Sequence, residues 1–238
     1  MISFKEFITT LNEAVNRGYT AERKLVRHLN RHGLMRGRGA GNSSETDFHL
    51  IDKRSTPATR IKGKASNKIK SEHKSSISRA VFGQLTLTKH PQTGKWHISD
   101  AARARRPEYA KHIEKATVTV NGRKKNLLDH LNSTNTSSDI HSDPTDLKPA
   151  HAYMHDHGVD VAHIDSHGTY RAGHSHSEDR HGLGLPRMQG EGRFRVRQKV
   201  KTRPNSKMVE FRITDLKKSK VDIGTDDGAN TIKKRLGH

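Results

Sequence analysis

The stretch between Asp47 and Gln84 constrains the fold of this chain more than any other part. Its first extended run, TDFHLID (46–52), opens with an acidic residue and is followed by a loop. A second extended run ends with Glu72 and Lys74, which are two residues apart and therefore share one face of a strand. The pattern predicts two carboxylates and a lysine at the ends of strands.

These three side chains suit the hydrolysis of a phosphodiester bond. The carboxylates of Asp47 and Glu72 can hold a hard divalent cation, Mg²⁺ or Mn²⁺, through oxygen. Such an ion polarises the phosphate and lowers the pKa of a bound water. Lys74 can position that water or neutralise the charge that develops on the phosphate. Paired charges on a solvated edge strand would explain Glu72 and Lys74 without any chemistry, and this alternative stays open.

The charge of the chain points to a polyanionic partner. Its 238 residues include 45 Lys and Arg against 25 Asp and Glu, a formal net charge of +20. DNA is the expected partner, because neutralising phosphates releases counterions; an anionic membrane is the weaker alternative. The absence of cysteine excludes disulfides, thiolate zinc sites and cysteine nucleophiles. The basic residues expected to contact DNA are Arg36, Arg38, Arg103, Arg105, Arg106, Arg195, Arg197 and Lys199.

The best helix of the sequence covers residues 15–32 and is followed by Gly33 in the favoured position after a helix end. Its apolar stripe contains Leu25 and Leu29, and Glu22 lies on the same face. A carboxylate on the packed side of a helix needs a partner. Glu22 is therefore either a rim residue in a salt bridge or a third carboxylate that leans into the metal site.

The order of these residues resembles the PD-(D/E)xK nuclease superfamily over about residues 20–100. The resemblance implies that Asp47 is the strand aspartate, that Glu72 and Lys74 form the E-x-K pair, and that Glu22 is the helix carboxylate. Gln84, within Phe-Gly-Gln, stands where some of these nucleases carry a glutamine. Thr46 replaces the proline of the motif. A rival register places Arg60-Ile61-Lys62 at the E-x-K position; since arginine cannot bind a cation, that register implies an inactive DNA-binding relic.

The N-terminal segment, MISFKEFITTLNEA (1–14), has one apolar stripe on a short helix. It resembles the capsid-targeting leader of internal head proteins of T-even-type tailed phages, in which a prohead protease cuts after Leu/Ile-x-Glu. Leu11-Asn12-Glu13 fits that tripeptide, so residues 1–13 are a possible cleavable leader that binds capsid or scaffold. The resemblance implies a protein of the phage virion and the host cytoplasm. A helix that simply docks on the core is the other interpretation.

The rest of the chain is divided by composition. Residues 14–131 are expected to form the nuclease-like core, and residues 132–190 a loop-rich segment that contains nine histidines. Exposure of these histidines to solvent is the favoured interpretation, and a transition-metal site with nearby Asp156, Asp160 and Asp165 is the alternative. Residues 191–223 alternate apolar and basic side chains and predict an antiparallel hairpin that packs on the core. Residues 224–238 read as a basic, poorly ordered tail.

The fold class expected from these patterns is α/β, with a mixed central sheet flanked by helices as in restriction endonucleases and extended by the C-terminal basic hairpin. The expected function is a metal-dependent DNA endonuclease of a tailed phage, packaged in the virion. The alternative is a non-catalytic internal head protein that binds DNA or blocks a host nuclease through charge alone.

Overall fold

The computed structural model describes residues 20–35, 47–54, 68–78, 80–134, 138–172, 179, 181–198 and 206–238. The protein is mixed α/β, with a mixed multi-stranded sheet flanked by helices. The proposed leader (1–13), the basic residues Arg36, Arg38 and Lys199, and the rival register at residues 60–62 lie outside the described residues.

The first sheet, sheet A, has four strands in the order β1-β2-β9-β10. Its strands are β1 Phe48–Ile51, β2 Lys68–Lys74, β9 Val161–Ile164 and β10 Gly168–Arg171. The β1–β2 and β9–β10 pairs are antiparallel, whereas β2 and β9 run parallel in the centre. A parallel pair needs a long crossover connection, and here the whole chain between residues 75 and 160 supplies it.

The second sheet, sheet B, follows the order β4-β3-β12-β11-β7, with β8 also paired to β11. Its strands are β3 Gln84–Lys89, β4 Trp96–Ile98, β7 Ile140–His141, β8 Thr145–Asp146, β11 Gly190–Gln198 and β12 Ser206–Leu216. The long strands β11 and β12 pair antiparallel in the middle of this sheet. Along β11, buried Phe194 and Val196 alternate with arginines, so that one face packs and the other is cationic. A small hairpin, β5 Thr117–Val120 with β6 Arg123–Asn126, stands apart from both sheets.

Helices cover both faces of sheet A. The described part of α1 is residues 20–31; the others are α2 Asp100–Arg105, α3 Pro107–Lys115, α4 Leu127–Ser133, α5 Lys148–Asp156 and α6 Asp226–Arg235. On one face, Leu50 and Ile69 share a core with α1 and α6. On the other face, Ala162 and Ile164 join the larger core that α3, α4 and α5 build with sheet B. None of the described helices is long and apolar enough to cross a membrane.

The second half of the chain contains more helix and strand than its composition predicted. Residues 132–190 were expected to be loop-rich, yet they contain α5 and the central strand β9. Four residues in a row, VAHI (161–164), are buried because β9 has a core on each face. The basic tail is also ordered, since α6 buries Ala229 and Ile232. Sheet A therefore takes its centre from a segment far along the chain.

Candidate active site

Asp47 is fixed at the end of β1, directly beside β2. The register pairs Phe48 with Ser71, so Asp47 is the next residue outward and stands across from Glu72. The backbone N–H of Asp47 donates to the carbonyl of Ser71 at 3.1 Å. Its carboxylate in turn accepts a hydrogen bond of 2.7 Å from the backbone N–H of His73. These two hydrogen bonds hold Asp47 beside His73, the residue between Glu72 and Lys74.

Glu72 and Lys74 share the face of β2 that looks toward the larger core. Their parallel partners on β9 are Ala162 and Ile164, both fully buried. Lys74 Nζ lies 3.6 Å from Glu72 Oε2, and the two side chains are only 22% and 12% exposed. Burial raises the pKa of the Glu72 carboxyl; the ammonium of Lys74 opposes the rise, and the negative charge of Asp47 adds to it.

The donor set of this cluster fits a hard divalent cation. Asp47 and Glu72 offer carboxylate oxygens, which Mg²⁺ and Mn²⁺ prefer. Because burial and a neighbouring carboxylate both raise the pKa of Glu72, an added positive charge would be favourable there. A carboxyl with a raised pKa, beside a lysine and a second carboxylate, has the perturbed titration that is common at catalytic sites.

Glu22, expected as a third ligand, lies on the other side of sheet A. Its neighbours on the helical stripe, Leu25 and Leu29, pack with Ile69 in the core that α1 shares with α6. Side chains alternate along β2, so Ile69 faces α1 whereas Glu72 faces away from it. Glu22 itself is half-buried and has its own interactions. The sheet therefore separates the helix carboxylate from the strand-end cluster.

Gln84 begins β3 and belongs to sheet B. It pairs with Glu210 across the β3–β12 ladder, and its side chain is exposed. It helps to line a cavity of about 240 Å³ together with Arg105, Arg106 and Tyr153. Gln84 is therefore placed beside arginines rather than on the strands that carry Asp47 and Glu72.

The expected DNA-contacting arginines within the described residues have different surroundings. Arg103 pairs with Glu114, Arg195 with Asp139, and Arg197 with Glu210, so carboxylates offset part of their charge. Arg105 is exposed. The guanidinium of Arg106 stands 5.4 Å from the centre of the Tyr153 ring, a cation–π distance.

Among the histidines between residues 141 and 181 that the structure describes, two are buried, contrary to the expectation that they face solvent. His151 and His163 are only 4% and 2% exposed. His163 stands next to His73 in the β2–β9 register, and the imidazoles of both contact Asp165. Although burial opposes the shift, His163 and His73 hold the pKa of the Asp165 carboxyl well below its usual range. Neighbouring residues in the sequence do not reveal which two distant strands pair in parallel. The apolar residues on either side of His163 were therefore the one signal that could have indicated its burial.

Comparisons of the chain with protein families, with curated proteins and with solved structures find no match.

Proposed function

We propose that this chain is a metal-dependent DNA endonuclease of the PD-(D/E)xK type, which hydrolyses phosphodiester bonds. The observation that carries the proposal is the convergence of Asp47, Glu72 and Lys74 at the adjoining ends of β1 and β2. Asp47 precedes the other two in the sequence by a long loop and comes beside Glu72 and Lys74 only through the β1–β2 register. The charge of +20 supplies the attraction for DNA.

Each residue has a separate role in this proposal. Asp47 and Glu72 hold Mg²⁺ or Mn²⁺, which when bound supplies Lewis-acid activation of the phosphate and of a water. Lys74 stands within 3.6 Å of Glu72 and can donate to an oxygen of the phosphate or of the attacking water. Burial keeps the ammonium of Lys74 and the carboxyl of Glu72 in a fixed arrangement, which limits the reorganisation that the reaction requires.

The rest of the proposal concerns the fold and the biological setting. Sheet A, with α1 on one face, forms the restriction-endonuclease-like core, and the basic strands β11 and β12 are the hairpin that approaches DNA. The face of β11 that carries Arg193, Arg195 and Arg197 would contribute to the attraction for phosphates, although Asp139 and Glu210 offset part of the charge of Arg195 and Arg197. Packaging of the protein in a phage virion through the N-terminal segment belongs to the same proposal.

The test is a plasmid-cleavage assay with Mg²⁺ and with Mn²⁺, using the full chain and the variants Asp47→Asn, Glu72→Gln and Lys74→Ala. We expect nicking that requires the metal and that falls by roughly 10²–10³-fold in Lys74→Ala, as for other groups that stabilise developing charge. Loss of a carboxylate ligand in either acidic variant should have at least as large an effect.

Lys70→Ala is the matched control, because Lys70 lies on the same face of β2, four residues before Lys74, and is exposed. Both lysine variants remove one positive charge, so they should weaken salt-dependent DNA binding equally; only Lys74→Ala should stop cleavage. Equal cleavage by the two variants would refute the assignment of Lys74. Tight DNA binding by the unmodified chain with no cleavage in either metal would favour a non-catalytic DNA-binding protein.

A further inference from the structure

The face of β2 opposite Glu72 and Lys74 carries a second cluster that plays no part in the proposed hydrolysis. His73 and His163 are cross-strand neighbours in the parallel β2–β9 pair, with ring centres 5.7 Å apart and ring planes inclined by only 16°. His73 is 8% exposed, and His163 is 2% exposed. Asp165 follows β9 directly and is held there by its backbone N–H, which donates to the carbonyl of Lys74 at 3.0 Å.

Three ligand atoms converge at this point. His73 Nε2 lies 2.9 Å and His163 Nε2 lies 3.4 Å from the same oxygen, Asp165 Oδ1. All three atoms lie within 4.8 Å of one another. Ligands at about 2.0–2.2 Å from a tetrahedral ion stand about 3.3–3.6 Å apart, so only small shifts would be needed to coordinate one.

Hydrogen bonding around His163 is compatible with coordination of a cation through Nε2. His163 Nδ1 lies 3.1 Å from Thr169 Oγ1 and 3.7 Å from Asp222 Oδ1, and both oxygens can accept a hydrogen bond. If the Thr169 hydroxyl donates to Nδ1, Nε2 carries the hydrogen and donates to the Asp165 carboxylate. If Nδ1 carries the hydrogen instead, Nε2 presents a lone pair toward that carboxylate, and a metal ion between the two suits this tautomer. A second partner on the far ring nitrogen is the usual way in which a metal-binding histidine is oriented.

The site can be reached from solvent. A cleft of about 1330 Å³ opens over His163, Asp165 and Gly224, and α1 forms its other wall. A side-chain Cβ at residue 224 would stand 3.3 Å from His163 Nε2, so the glycine keeps that nitrogen accessible. Lys24, Arg27 and Arg31 of α1 also line the cleft. Three protein ligands with one side open to a cleft are the usual arrangement of a metal centre that keeps an exchangeable position.

We propose that His73, His163 and Asp165 form a binding site for a divalent first-row transition metal of the Zn²⁺ and Co²⁺ class. Two imidazoles and one carboxylate suit these ions, whereas Mg²⁺ prefers oxygen alone. The site is distinct from the Asp47–Glu72 pair, because alternation along β2 places the imidazole of His73 on the other face of the sheet.

A second group, formed by His28, His32 and Asp226, is the natural rival, and its His28 lines the same cleft. There the carboxylate is 82% exposed. This group is the weaker metal site and supplies the control.

The experiment is a Co²⁺ titration of the chelator-treated full chain, followed by the visible absorption bands of the bound ion and by competition with Zn²⁺. We expect one tight site per chain. His73→Ala, His163→Ala and Asp165→Asn should each weaken it by at least the roughly 10- to 100-fold that loss of an outer hydrogen-bond partner costs. His32→Ala should leave the site intact. His73→Ala keeps the backbone N–H that holds Asp47, so the first cluster should be unaffected.

Three results would overturn the proposal: no site of unit stoichiometry, a tight site that survives Asp165→Asn and His163→Ala, or loss of the site in His32→Ala. If His163→Ala does not fold, Asp165→Asn decides, because it keeps the shape of a side chain that is 39% exposed. Glu72→Gln separates this proposal from the proposed hydrolysis, since that variant should lose cleavage and still bind Co²⁺ in full.

Discussion

Glu210 gives the sharpest stability prediction in the molecule. It lies on β12, the central strand of sheet B, and its side chain is only 2% exposed. Two arginines hold its two oxygens: Arg197 Nε donates to Oε1 at 2.7 Å, and Arg212 Nη2 donates to Oε2 at 3.0 Å. Although burial would raise it, these two guanidinium groups hold the pKa of Glu210 below its ordinary value of 4.5.

Glu210→Gln keeps the shape of the side chain and removes its charge. Removing one partner of a buried ion pair costs about 3–5 kcal/mol. The two arginines are 35% and 29% exposed, so water can partly solvate them once the carboxylate is gone. We therefore expect the lower end, a loss of about 3 kcal/mol in the free energy of unfolding at pH 7. For a chain of this length, such a loss lowers the melting temperature by roughly 6–12 °C.

The pH dependence of this loss has a definite sign. A carboxyl whose pKa is lowered on folding stabilises the native state fully above its unfolded pKa, and this stabilisation disappears as the pH falls through the folded pKa. The difference between the parent chain and Glu210→Gln should therefore be full above pH 4.5 and shrink below it. Urea unfolding of both proteins at several pH values measures the difference directly.

Glu114→Gln is the matched control, because the Arg103–Glu114 pair is 47% and 33% exposed. A surface pair of this kind contributes less than about 1 kcal/mol. The reasoning would be refuted if Glu210→Gln were no more destabilising than this control. A loss that stayed constant from pH 7 down to the acid limit of folding would refute it as well.

Two further substitutions test helices α6 and α4. In Gly228→Ala, the new Cβ would stand 1.8 Å from the carbonyl oxygen of Asp222. We therefore expect the free energy of unfolding to fall by at least about 1–3 kcal/mol and hydrogen exchange in α6 to become faster. Unchanged exchange would contradict the close packing of α6 on Asp222. In Asn126→Ala, α4 loses the cap that accepts hydrogen bonds from the N–H groups of Leu128 and Asp129. The free energy of unfolding, measured by thermal unfolding, should fall by about 1 kcal/mol. A variant as stable as the parent would show that the cap is dispensable.

The parts of the fold that the sequence predicted are those with local signals. Gly33 has a φ of +74° after the end of α1, and the N–H of Leu34 donates back to the carbonyl of Leu29, as expected for a helix ended by glycine. The runs QLTLT (84–88) and KWHIS (95–99), separated by a turn that contains Pro91 and Gly94, predict a hairpin, and β3 and β4 form it. The basic residues of 100–115 predict one helix, whereas the structure divides it at Pro107, because proline favours the first turn of a helix over its interior.

The parts that could not be predicted depend on pairing between distant segments. β2 pairs with β9, which lies about ninety residues later and carries no alternation because both of its faces are buried. The tail, by contrast, contained an overlooked signal. Thr225 caps α6, Asp226 and Asp227 occupy its first turn, and basic residues occupy its last turn, which is the charge order that stabilises a helix. Its excess of basic residues concealed this order.

The alternation of side chains along β2 explains how one strand can serve two sites of different chemistry. Glu72 and Lys74 face the larger core, whereas His73 faces α1, so each site can be removed by a side-chain substitution that leaves the other in place. The backbone is the only element that they share, because the N–H of His73 holds the carboxylate of Asp47. A one-residue slip of β2 would exchange the two faces and disable both sites together. Loss of cleavage and of Co²⁺ binding in the same side-chain variant would therefore indicate a changed strand register and not the loss of a ligand.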